Sequence, residues 1–130
     1  MIVDSSALVA IMLREPECDR LLDALGRAAS VAIGAPTLVE SAIVLSSRMQ
    51  MDARGRIARL LQEHEMSVIP LTEAHYALAV EAWLRFGKGR HVAALNFGDC
   101  LVYATATLAR RPLLCTGDDF TRTDVDRVPW

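Results

Sequence analysis

Residues 1–13 read MIVDSSALVAIML, and one charge, Asp4, interrupts an otherwise uncharged stretch. The three apolar residues before the acid suit a short buried strand, and SSALVAIML after it has the length of a helix. Asp4 or Ser5 stands where a helix N-cap belongs. A strand running straight into a helix is the building unit of an α/β fold. In such folds, sites lie beyond the carboxyl ends of the strands.

Outward from this stretch the same alternation continues. EPECDRLLDALGRAA (15–29) is expected to be a second, amphipathic helix, with Leu21, Leu22 and Leu25 on one face. SVAIG (30–34) reads as a strand, and Pro36 suits the first turn of a helix running to about Met49. MDARGRIARLLQEHE (51–65) reads as an amphipathic helix with its arginines outward, and MSVIPL (66–71) as a strand. TEAHYALAVEAWLRFG opens on the cap Thr72 and stops at Gly87. GKGRHVAALN (87–96) is a glycine-containing basic loop, FGDCLVYATATLARR an apolar helix, PLLCT a strand and GDDF a turn. A short last strand is expected around Val125 to Val128. Strands alternating with helices predict a three-layer α/β/α sandwich with a mostly parallel central sheet. No repeat, low-complexity stretch or linker divides the chain, so residues 1–130 are read as one domain.

Composition narrows the function. Hydrophobic residues are 52% of the 130 and charged residues 23%, the balance of a folded protein. Aromatics are 5%, so aliphatic packing carries the core and an aromatic base-stacking platform is not expected. The net charge of −2 excludes a basic field over the whole molecule, so any nucleic-acid contact must come from a local patch. Cys18, Cys100 and Cys115 form no CxxC pair, and their number is odd. They are expected to be reduced, buried thiols of a cytoplasmic protein. No basic region precedes the first apolar run, so no signal peptide is expected, and no run reaches the roughly 18–20 apolar residues of a membrane span.

The anomaly at Asp4 recurs. From Val31 to Ser47 the only charge is Glu40; from Val92 to Ala109 it is Asp99; and Asp118 and Asp119 follow the apolar run Leu113–Cys115. Each acid has an ordinary reading. Asp4 can cap a helix, Asn96 to Asp99 can form a capping box, and Asp118-Asp119 can be a turn. Glu40, inside an apolar helix with Ile43 and Val44 one turn on, is harder to explain that way. A lone carboxylate in apolar surroundings costs several kcal/mol (about 3 or more) unless it is paired, protonated or bound to metal. No Lys or Arg lies in any of the three windows, and one shared cation would satisfy all the acids together. Three or four carboxylates without clustered His or Cys favour a hard ion, Mg²⁺ or Mn²⁺, and such a site suits phosphoryl chemistry. His64, His75 and His91 show no ligand spacing, which argues against zinc.

The order IVDSSALVAI, PTLVESAIVL, GKGRHVAALNFGDCLVYATA and LLCTGDDFTRTDV closely resembles the PIN-domain ribonucleases, and among them the VapC toxins of bacterial toxin–antitoxin pairs. The resemblance covers nearly the whole chain. It implies a Mg²⁺- or Mn²⁺-dependent endoribonuclease whose acidic quartet falls on Asp4, Glu40, Asp99 and Asp119, with Asp118 as the alternative fourth acid. It places the family's hydroxyl on Ser6; with Ser6, Asn96 and Thr116 are the expected supporting groups beside the acids. Lys88, Arg90 and His91, in the basic loop ahead of Asp99, are the candidate RNA contacts. The resemblance further implies a structured RNA substrate such as tRNA, a VapB-like antitoxin that supplies any DNA binding, and a homodimer.

Two rivals stand beside this reading. A receiver or HAD-type phosphotransfer domain also carries an Asp at a strand end, but the HAD pattern needs a second Asp where this chain has Ser6. The other rival is a catalytically inactive PIN-fold module that binds RNA or protein. A complete acidic set weighs against it.

Overall fold

A computed structural model describes residues 1–130. Four strands, β1 (Ile2–Val3), β2 (Ala32–Gly34), β3 (Ser67–Ile69) and β4 (Leu113–Leu114), form one sheet in the order β3-β2-β1-β4. Every pairing is parallel, with Val3 opposite Ile33 on one side and Leu114 on the other. The helices are α1 (Ser5–Leu13), α2 (Cys18–Arg27), α3 (Ala35–Met49), α4 (Arg54–Glu63), α5 (Glu73–Phe86) and α6 (Phe97–Ala109).

Two apolar cores on opposite faces of the sheet make the three layers. One packs Leu8, Leu21, Leu45, Ile57 and Leu60 of α1 to α4 against Val3, Ile33 and Leu114. The other packs Ala82 and Phe86 of α5 and Val102, Tyr103 and Ala106 of α6 against Ile2, Ala32 and Leu113. Neighbouring residues of one strand thus serve opposite cores, as period-2 geometry requires. Strands buried on both faces read as continuous apolar runs rather than alternating ones.

The architecture agrees with the sequence reading, and the element ends differ for local reasons. Helix α2 begins at Cys18 rather than Glu15, since Arg14 takes a left-handed conformation that ends α1 and Pro16 disfavours helix at the residue before it. The strands are two or three residues long, shorter than the apolar runs that announced them. The expected last strand is a single parallel bridge, Leu113 to Arg127, closed by Leu113 N–H donating to Asp126 O at 2.8 Å and Val128 N–H donating to Leu113 O at 2.8 Å. All three cysteines are free and buried. No helix is long and apolar enough to cross a membrane.

Candidate active site

Asp4 leaves β1 in extended conformation and caps α1, its Oδ2 accepting the Ser6 N–H at 3.0 Å. The Asp4 N–H donates to Leu114 O at 2.9 Å, which ties the acid to β4. The Ser6 hydroxyl donates to Asp4 Oδ2 at 2.5 Å and accepts the Thr116 N–H at 3.0 Å. The carboxyl ends of β1 and β4 are therefore joined through Ser6, as the placement of sites in open parallel sheets requires.

Asp99 sits in the first turn of α6 inside a complete capping box. Asn96 Oδ1 accepts the Asp99 N–H at 3.0 Å, and Asp99 Oδ2 accepts the Asn96 N–H at 2.7 Å. The ordinary capping readings of Asp4 and Asp99 are thus correct. Capping fixes one oxygen of each carboxylate and orients the other.

Glu40 reaches across from α3 to the start of α6. A Cβ on Gly98 would stand 3.2 Å from both Glu40 carboxylate oxygens. Glycine there gives the carboxylate room over the positive end of α6, where the helix dipole favours it. Gly98 is a site residue that the sequence reading missed. Its signal is a glycine one residue before the acid in an otherwise apolar helix start.

Asp119 follows β4 in the 117–120 turn, which buried Phe120 anchors. The negative charge of Asp119 raises both the Asp4 and Asp99 carboxyls above their ordinary range. Asp118 makes no such contribution to either, and its carbonyl is occupied by Thr121. Of the doublet, Asp119 is the member whose charge bears on Asp4 and Asp99.

The electrostatics describe a repelling cluster. Burial pushes the Asp99 carboxyl up to about 6, with Asp119, Asp4 and Glu40 adding to it against the Asn96 backbone hydrogen bond. Asp4 is raised chiefly by burial and held down by its Ser6 bonds. The five ion pairs of the molecule use Glu15, Asp52, Glu63, Glu81 and Asp124, so no Arg or Lys neutralises the quartet. One expectation is corrected. Only Asp4 is truly buried; Asp99 is half-buried, and Glu40, Asp118 and Asp119 are exposed. The apolar windows misled because Val39 and Ile43 beside Glu40 face solvent rather than the core. Burial at Asp4 and Asp99, with the repulsion of neighbouring acids added to it, marks the site.

The donor set is all oxygen, carries four negative charges and has no protein cation, which fits a hard divalent ion. As placed, no three His, Cys, Asp or Glu side chains form a group that can hold an ion.

The PIN domain family model matches residues 1–126. The chain belongs to the PIN-domain family. Ribonuclease VapC36 of Mycobacterium tuberculosis is 48% identical over 127 residues, covering 97% of this chain and 91% of that protein. Ribonuclease VapC28 of the same organism is 42% identical over 129 residues, covering 98% and 97%. Among solved structures, M. tuberculosis VapC20, described as a Sarcin-Ricin loop cleaving toxin, superposes with a TM-score of 0.79 at 17% identity, over 98% of this chain and 97% of that one. A toxin–antitoxin complex from Klebsiella pneumoniae superposes at 0.74 and 18% identity, over 99% and 97%. At such identities the superpositions speak for the fold.

In this PIN domain the basic loop is tied at its base. Gly87 has no room for a side chain, since a Cβ would overlap the Trp83 carbonyl and ring, and Gly87 pairs in parallel with Leu95. Lys88 and Arg90 are exposed, with the Arg90 guanidinium 4.3 Å above the Trp83 ring. His91 is engaged structurally: Nδ1 accepts the Ala93 N–H at 3.1 Å and the ring stands edge-on to Phe86. Lys88 shares with Asn96, Tyr76, Trp83 and Phe97 a groove of about 860 Å³, and Phe97, 81% exposed, divides it from a second cleft of about 460 Å³ beside Glu40. This exposed apolar surface was not visible in the sequence.

Proposed function

We propose that the chain is a VapC-type toxin, a Mg²⁺- or Mn²⁺-dependent endoribonuclease that cuts a structured RNA such as tRNA. The carrying observation is the cluster of Asp4, Glu40, Asp99 and Asp119, mutually repelling and without a protein cation, in a chain 48% identical to a ribonuclease. Asp4 and Asp99 are the principal ligands, oriented by their caps; Glu40 and Asp119 complete the shell or orient the attacking water. The ion, when bound, supplies charge neutralisation at phosphate oxygens and an activated water. Ser6 holds Asp4 in place, and the Thr116 N–H holds Ser6. Lys88, at the groove that leads to Asn96, and Arg90, over the Trp83 ring, bind phosphate. Hydrolysis leaves a 5′-phosphate and a 3′-hydroxyl end.

A VapB-like antitoxin and a second copy of the chain are the partners in this reading. Exposed Val39, Ile43, Tyr76, Trp83 and Phe97 support it, because a monomer rarely leaves so large an apolar surface uncovered. The test is incubation of antitoxin-free protein with total cellular RNA, with Mg²⁺, Mn²⁺ or EDTA. Discrete metal-dependent fragments, with 5′-phosphate ends on mapping, are expected. Folded protein that leaves RNA intact under either metal would favour the inactive binding module.

A further inference from the structure

We propose that Trp130 is a positioning residue for Asp4, acting through the Cys115–Thr116 peptide and the Ser6 hydroxyl. The inference rests on the metal-dependent nuclease reading and extends it to a residue far from the acids in sequence.

The last residues run as a strap beside β4, bonded through Asp126 O and the Val128 N–H to Leu113. The strap ends with the Trp130 indole N–H donating to Cys115 O at 2.9 Å. The ring is held from outside as well. The Arg20 guanidinium lies 4.9 Å from its centroid, and Arg20 Nη2 donates to the Trp130 carbonyl.

The Cys115 carbonyl and the Thr116 N–H belong to one planar peptide unit, so fixing the oxygen fixes the direction of the N–H. That N–H donates to Ser6 Oγ at 3.0 Å. With a lone pair of Ser6 so used, its one proton is aimed at Asp4 Oδ2, 2.5 Å away. Indole, peptide, hydroxyl and carboxylate thus form one directional chain, and such chains polarise their members cooperatively. Asp4 is only 6% exposed, so the protein rather than bulk water sets the plane of its carboxylate. Groups that orient a metal ligand from behind are worth roughly 10- to 100-fold in metal affinity.

The test is calorimetric Mn²⁺ titration of four proteins: wild type, Trp130→Phe, Ser6→Ala and the double variant, with RNA cleavage followed in parallel. Trp130→Phe keeps an aromatic ring and removes only the donor. It is expected to weaken Mn²⁺ binding by about tenfold and to lower kcat while the KM for RNA stays put. In the Ser6→Ala background the same change is expected to have no further effect. Wild-type Mn²⁺ affinity in Trp130→Phe would overturn the inference, and so would an equal loss in both backgrounds, which would reduce Trp130 to general packing. If Trp130→Phe does not fold, Arg20→Gln, which loosens the ring from outside, is expected to give a smaller loss with the same dependence on Ser6. An Arg20→Gln effect indifferent to Ser6 would equally refute it. Wild-type protein that binds no Mn²⁺ and cuts no RNA would remove the nuclease reading and this inference together; active wild type beside an unaffected Trp130→Phe would remove the inference alone.

Discussion

Glu40 and Gly98 meet across α3 and α6 so closely that a single added carbon at position 98 would lie 3.2 Å from both carboxylate oxygens. Two helices that enter separate cores are thereby brought together at an acid. Gly98→Ala separates stability from activity. Alanine is favoured over glycine in a helix by up to about 1 kcal/mol, and the flexible Glu40 side chain can swing away at little cost. The variant is expected to melt at the same or a higher temperature than wild type and to cleave RNA more slowly, as thermal melts and initial rates would reveal.

Asp4→Asn keeps the shape and most of the cap but removes a buried charge. Loss of a metal-bound carboxylate is worth about 3 kcal/mol of transition-state stabilisation, roughly a hundredfold in rate. Cleavage should fall at least that far, while the melting temperature of the metal-free protein holds or rises.

The raised Asp99 carboxyl makes pH a probe. Its folded value of about 6 lies above the roughly 3.9 of an unfolded Asp, so between these values the folded state binds more protons than the unfolded one. This group's contribution to stability therefore decreases as pH rises from about 4 to about 6 and is flat above. Metal binding has the opposite sign: affinity should drop as pH falls through about 6, because Asp99 must lose its proton to bind. Melts with and without Mn²⁺ from pH 5 to 8 are expected to diverge as pH rises. Parallel curves would contradict the assignment of Asp99 as a ligand.

Replacing both Lys88 and Arg90 with Ala should weaken RNA binding without altering the acidic cluster. Each phosphate left without its cation lowers the slope of log K against log salt by about 0.7 to 0.9, so a reduction of about 1.5 is expected across a salt series. An unchanged slope would place the RNA elsewhere.

Much of this molecule is written locally. The strand–acid–helix junction at Asp4, the Asn96–Asp99 capping box and the stop at Gly87 depend on neighbouring residues, and each appears in the structure as the sequence implies. Asp4 and Asp119 share one end of the sheet because the topology places β1 beside β4, an order that parallel pairing alone does not dictate. What the sequence hid is long-range. The exposure of Glu40 depends on which face of α3 meets the core. The Gly98 cradle depends on how α3 crosses α6. The Trp130 clamp joins residues 15 apart in sequence through a strap that forms no regular strand.

The proposed four-acid metal site is tested most directly by the anomalous scattering of a crystal soaked in Mn²⁺. Density is expected between the Asp4 and Asp99 carboxylates, with Glu40 and Asp119 drawn in around it and Asp118 outside. An ordered Mn²⁺ bound elsewhere, or an acidic cluster without anomalous density at saturating Mn²⁺, would contradict the claim that these four acids are a metal site.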